Sequence, residues 1–115
     1  MEQLTHEHLT AGDRPLTQNT GTYATGQTLI RLTPIARVTS SGELKSWDPA
    51  ANDGTQNARF LTVGAVDTSA GAKSAPFYDS GHFNEALIAW PAGVTDAQKA
   101  GAFDGTPIAI GNILD

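Results

Sequence analysis

Four stretches of this 115-residue chain hold residue types that could do chemistry. Asp79-Ser80-Gly81-His82 supplies a hydroxyl nucleophile, an imidazole base and a carboxylate to orient it, the parts of a small hydrolase. Neighbours on a strand–turn–strand point in divergent directions, however, and no G-x-S-x-G elbow is present to lift a serine onto an oxyanion hole. Ser-Gly reads first as a turn. His6 and His8 flank Glu7. A metal centre needs three or four ligands on a defined frame with partners behind them, so these three read as solvated residues. Asp48 to Gly54 has the texture of a calcium loop. With Gly54 at the sixth position, the first and third ligands would be Pro49 and Ala51, and the closing glutamate would be Phe60, so the pattern fails. Trp47 and Trp90 could form a sugar platform, but in so short a chain two tryptophans are first core or interface residues. No phosphate-binding glycine loop occurs, and with no cysteine neither disulfides nor sulfur-bound zinc arise. The sequence therefore assigns no catalytic, cofactor-binding or metal-binding residue, and the expectation is a protein that is not an enzyme and needs no cofactor.

Composition narrows the partners. The formal net charge is −5, with seven scattered Lys and Arg against twelve Asp and Glu. That balance argues against contact with nucleic acid or an anionic membrane, but not against a protein lattice. No apolar run approaches the ~18 residues of a membrane span. Met1 to His8 lacks a basic start and an apolar stretch, so the chain is expected to stay in the cell that makes it.

The elements must be mostly strands. Hydrophobic residues are 39% of the chain and charged ones 17%, with twelve glycines. Residues 1 to about 27 carry Leu4, Leu9, Leu16 and Tyr23 as their sizeable apolar groups, at no regular period. Such a stretch buries too little to offset an ordering cost of roughly 1–2 kcal/mol per residue. It reads as an arm, flexible in the free protein, ahead of a β-rich domain over 28–115. From Thr28, two short strands are broken at Pro34, and Ser40-Ser41-Gly42 turns the chain into a hairpin ending near Trp47-Asp48. Arg59 to Val66 is the most strand-like run. Ala75 to Asn84 reads as a strand, a tight turn at Ser80-Gly81 and a second strand, which Glu85 to Trp90 completes before Pro91 stops it. A single short helix is expected near 95–103, with Thr95 as N-cap and Gln98 in the capping-box position. Phe103 should pack it down, Gly105 end it, and Ile108-Ala109-Ile110 form a last strand.

One ordered set of residues points further. Phe77-Tyr78-Asp79-Ser80-Gly81-His82-Phe83, then Trp90-Pro91, then the polar helix, then Ala102-Phe103-Asp104-Gly105-Thr106-Pro107-Ile108-Ala109-Ile110 resembles the C-terminal part of the lambda-type bacteriophage head decoration proteins. Ala36 to Asp48 and Leu61 to Val66 match that family more loosely, so the resemblance covers about two-thirds of the chain. It implies a mainly β fold of the β-clip type, a homotrimer, and binding at local three-fold positions of an expanded capsid, which it cements. The implied partners are the major capsid protein and two further copies of the chain. The implied location is the head surface of the virion, after synthesis in the host cytoplasm. Phe77, Tyr78, Ser80, Gly81, Phe83, Trp90, Pro91, Phe103, Gly105 and Thr106 would be a signature of fold and assembly.

The arm does not align with its lambda counterpart, so its contacts are argued from residues alone. Leu4, Leu9, Leu16 and Tyr23 have apolar area to bury, and a donor-rich segment with few charges can add a strand to an exposed sheet edge. A different trimeric module, of a tail, fibre or adhesin, is the competing expectation; a hydrolase using Asp79, Ser80 and His82 is a remote one.

Overall fold

A computed structural model describes residues 15–111. Among these residues eight strands run in the order β1 (Thr17–Tyr23), β2 (Thr28–Leu29), β3 (Pro34–Arg37), β4 (Leu44–Ser46), β5 (Phe60–Thr62), β6 (Val66–Asp67), β7 (Lys73–Asn84) and β8 (Ile108–Gly111), with one α-helix, α1 (Asp96–Gly101), before the last. Six of them form a sheet in the order β1-β4-β3-β5-β7-β8, and β1 also pairs with β7. That extra pairing closes the first five into a small barrel and leaves β8 outside, parallel to the end of β7. β2 and β6 make a separate two-stranded ribbon. The mainly β architecture with a single short helix agrees with the sequence expectation.

Local chemistry explains the hairpin. β3 and β4 pair antiparallel, with Ala36 opposite Lys45. Gly42 turns the chain at φ 78°, a region that costs glycine nothing, and its N–H donates to the Val38 carbonyl. Pro34 takes the first place in β3, where a missing N–H is tolerated, and its carbonyl accepts from the Trp47 N–H.

Four expectations need correction. Residues 17–23 are β1, not arm: they pair with β7 from Thr17↔Ser80 to Tyr23↔Lys73, and Tyr23 is 0% exposed in the core. The folded unit thus begins well before residue 28. The run from Arg59 to Val66 is not one strand, because the chain bends at Val63-Gly64 between β5 and β6. Ser80-Gly81 is not a turn. Gly81 sits at φ 146° within a continuous twelve-residue strand, where β7 changes partners from β1 and β5 to β8. Glu85 to Trp90 does not extend that strand. The Asn84 side chain caps the Ala86 N–H and starts a 3-10 turn, Glu85–Leu87.

The helix forms as its cap predicts. The Thr95 hydroxyl accepts from the Gln98 N–H at 3.1 Å, and the Gln98 side chain accepts from the Thr95 N–H at 2.9 Å. This reciprocal pair satisfies two of the donors that a helix start leaves orphaned.

The pleat divides the buried residues between two cores. Tyr23, Leu29, Ile35, Leu44, Val66 and Phe77 fill one, with Phe60 and Ala75 against it. Leu32, Trp47, Ala58, Leu61, Ile88, Ala102, Phe103 and Ile108 fill the other, which lies beneath the helix and the last strand. β5 and β7 are the shared wall: Phe60 and Phe77 face the first core, Leu61 and Tyr78 the second. That is the period of two expected of a strand buried on both faces.

Buried polar groups are paired. The Thr68 hydroxyl, fully buried, donates to the Ala24 carbonyl at 2.6 Å and accepts from the Gln27 N–H at 2.9 Å. The Gln27 side chain donates to the Leu44 carbonyl and accepts from the Ser46 N–H, as a neighbouring strand would. Its amide stands in for backbone beside β4, which meets β1 only at Tyr23↔Leu44.

Candidate functional site: the arm root and the signature cluster

The residues that resembled a catalytic set instead anchor the start of the described chain. The Ser80 hydroxyl donates to the Pro15 carbonyl at 2.8 Å, and the Thr17 hydroxyl donates to the Asp79 carboxylate. His82 faces Ala109 of β8 in the register, and its side chain has no hydrogen bond to Ser80 or Asp79 among the described residues. The three side chains therefore do not form a relay, and two of them hold Pro15 and Thr17 against β7.

Shape reinforces this clamp. The β1–β7 register shifts between Thr17 and Gln18. A Cβ added to Gly81 would lie 2.9 Å from Leu16 Cδ1 and 3.0 Å from the Phe83 ring. Glycine is thus required both by its φ and by the close approach of Leu16, which is half-buried there. Leu4 and Leu9 lie outside the described residues. Tyr23 is not available to a partner, since its ring is buried and its hydroxyl donates to the Pro76 carbonyl at 3.0 Å. Burial pushes its pKa up to about 12.

The other signature residues converge on the two cores. Phe77 lies against Phe60 in the first core, with ring centroids 4.4 Å apart. Tyr78 and Phe83 meet at 5.3 Å over the second. Trp90 sets its edge to Trp47 at 6.0 Å, its indole N–H donates to the Glu85 carbonyl, and the Lys99 ammonium lies 5.8 Å above its ring. The tryptophan pair is therefore a packed contact beside the helix rather than a sugar platform. Pro91, half-buried, follows it into the loop before α1.

After the helix, Phe103 is buried at φ 67°, a left-handed position that a bulky side chain occupies only when its surroundings hold it. Thr106 provides the hold, through hydroxyl and N–H bonds to the Phe103 carbonyl, at 2.7 and 3.0 Å. Gly105, at φ 80°, completes the reversal into β8. Sequence reasoning missed the roles of Thr68, Gln27 and Asp79, because each acts on a segment distant along the chain and none carries a local pattern.

The barrel is closed by β1 and β7, with Pro15 and Thr17 bonded to β7, and the comparison with known families gives it a class. The family model of bacteriophage lambda head decoration protein D matches residues 2–110, and the chain belongs to that family. Among similar proteins are the head decoration protein of Enterobacteria phage P21 and the putative decoration protein of Escherichia phage N15. The first is 27% identical over 108 residues, covering 94% of this chain and 90% of that protein. The second is 34% identical over 80 residues, covering 69% of this chain and 68% of that one.

Proposed function

We propose that the chain is a head decoration protein that assembles as a homotrimer, occupies local three-fold positions of the expanded phage head and cements the shell without a chemical step. The family match over residues 2–110 carries this reading, because it takes in the arm as well as the barrel. The protein is made in the host cytoplasm and ends on the head surface of the virion. Its partner there is the major capsid protein.

The arm is the part that docks. Upstream of Leu16 it holds Leu4 and Leu9, whose apolar area has no pattern that would place it in the barrel. Leu16 marks the root, and the contacts at Ser80 and Gly81 hold Pro15 and Leu16 against β7. Ordering such a segment on a partner costs several kcal/mol, and three arms on one trimer offset that through their effective concentration. Each bound trimer then favours the shell state it recognises, by mass action.

Removal of residues 1–14 tests this, since it spares β1 and its bond at Pro15. The shortened protein should keep the oligomeric state and the unfolding midpoint of the full chain yet fail to cosediment with expanded heads. Cosedimentation equal to that of the full chain would refute arm docking.

A further inference from the structure

The tripeptide Asp-Gly-Thr occurs twice, at Asp53-Gly54-Thr55 and at Asp104-Gly105-Thr106. As sequence the two copies are the same, but the fold treats them oppositely. At the first, both donors of Thr55 turn back on the carboxylate: Asp53 Oδ1 accepts from the Thr55 hydroxyl at 2.6 Å and from its N–H at 3.1 Å. The Gly54 N–H donates to the Gln56 side chain at 2.8 Å, and the Asp53 carbonyl accepts from the Thr39 N–H at 2.8 Å. At the second, both donors of Thr106 turn instead to the Phe103 carbonyl. Asp104 and Gly105 are exposed, and among the described residues no hydrogen bond or ion pair reaches the Asp104 carboxylate or the Gly105 N–H.

We propose that Asp104-Gly105 is a site of spontaneous succinimide formation, which converts Asp104 to isoaspartate, while Asp53-Gly54 is held inert by its bonds. In the first step the Gly105 amide nitrogen loses its proton and bonds to Asp104 Cγ. The Cγ–OH bond breaks, and hydroxyl and proton leave as water. Water then opens the ring. Addition at Cγ restores aspartate, and addition at the Asp104 main-chain carbonyl carbon routes the backbone through the side chain. Nothing is oxidised or reduced, and water is the sole co-reactant. The attack needs a following residue with no Cβ in the way, a carboxyl free to swing and an N–H free of a partner. Asp104-Gly105 has all three. At Asp53-Gly54 three hydrogen bonds to those groups must break first. The loop must also leave β3, against which a Gly54 Cβ would lie 2.5 Å from the Arg37 carbonyl oxygen. The place of Asp104 gives the change a consequence. An isoaspartyl link adds a methylene to the main chain between Phe103 and Thr106, whose two bonds hold Phe103 at φ 67° in the second core.

Incubation of the full chain in water enriched in the heavy oxygen isotope tests this, once folded in buffer and once unfolded in guanidinium. Peptide mass spectrometry, with fragmentation that distinguishes isoaspartate from aspartate, then reads each site. Ring opening leaves one label whichever carbonyl is attacked. In the folded chain, label at Asp104 should exceed label at Asp53 by about tenfold or more, the rate equivalent of the hydrogen bonds that restrain Asp53. In guanidinium the two sites should label alike, and Asp104→Glu should abolish label at position 104, because glutamate closes the corresponding ring far more slowly. Equal labelling of the two sites in the folded chain, or labelling of neither while the unfolded chain labels both, would overturn the proposal. An excess at Asp104 that persists in guanidinium would overturn it as well, by assigning the difference to sequence rather than fold. Chains carrying isoaspartate at 104, separated by reversed-phase chromatography and refolded, should melt at a lower temperature than unmodified chains treated alike. Coincident melting would overturn the consequence assigned to the Thr106–Phe103 bonds.

Discussion

Gly81→Ala separates two reasons why one residue is glycine. At φ 146° an L-residue carries a backbone cost of about 1–3 kcal/mol. The new methyl would also sit 2.9 Å from Leu16 Cδ1 and 3.0 Å from two atoms of the Phe83 ring, where carbon contacts are comfortable at about 3.5–4.0 Å. Overpacking of that kind costs about 1–3 kcal/mol more. The sum, about 2–6 kcal/mol, is a large part of the 5–15 kcal/mol typical of a whole domain. Gly42→Ala is the control, because Gly42 is also at positive φ but has no atom within 4 Å of the added Cβ. Urea unfolding at one fixed protein concentration should show Gly81→Ala more destabilising than Gly42→Ala by about 1–3 kcal/mol, with the denaturant slope unchanged. Leu16→Ala removes one of the two clashes, so in the Gly81→Ala background it should be less costly than alone, by about 1 kcal/mol. Equal effects at the two glycines, or strict additivity with Leu16→Ala, would show that Leu16 does not press on β7 and would remove the steric basis of the clamp.

Thr68→Val keeps the shape of a fully buried residue while deleting its hydroxyl. The Ala24 carbonyl would retain the Gln27 side-chain amide, so the Gln27 N–H alone loses its partner, and equilibrium unfolding should register about 1–3 kcal/mol; no measurable loss would mean that water replaces the hydroxyl. Tyr23→Phe should cost about 1 kcal/mol at neutral pH through the lost bond to Pro76. Because burial holds the folded-state pKa near 12 against 10.0 for the free group, ionisation above pH 10 favours the unfolded wild-type chain. The wild-type advantage over Tyr23→Phe should therefore be constant below pH 10, then shrink and reverse towards pH 12 by roughly 2–3 kcal/mol in total. A gap that stays constant through that range would show that the phenol reaches solvent.

Local signals were legible in the sequence, and remote ones were not. The β3–β4 hairpin and the α1 cap each rest on residues a few positions apart, so composition and spacing revealed them. β1 escaped because most of its residues are exposed and only Tyr23 is fully buried, so no alternation marks it as a strand; its main partner, β7, lies fifty or more positions ahead. The continuity of β7 escaped for a different reason. Ser80-Gly81 has the composition of a turn, and only the neighbouring Leu16 and Phe83 show why a glycine is needed inside a strand. Among the residues expected in the arm, the same limit applied. Leu16 and Tyr23 looked alike as isolated apolar groups, yet one guards the root and the other fills the barrel. The ordered run from Phe77 to Ile110 carried the family resemblance because its spacing is dictated by two cores that share a wall.

The closure of the barrel by β1 and β7 also sets a timetable for synthesis. Thr17 cannot meet Ser80 until the ribosome has passed β7, and β8 follows only after the helix and its capped turn. The β3–β4 hairpin can form within about 1–10 microseconds of leaving the tunnel, but the sheet around it must wait for strands made much later. Refolding of the full chain should accordingly fall in the slow, millisecond-to-second range of topologies dominated by distant pairings. During translation, the first strand emerges long before its partner and is the last exposed edge of the barrel to be covered.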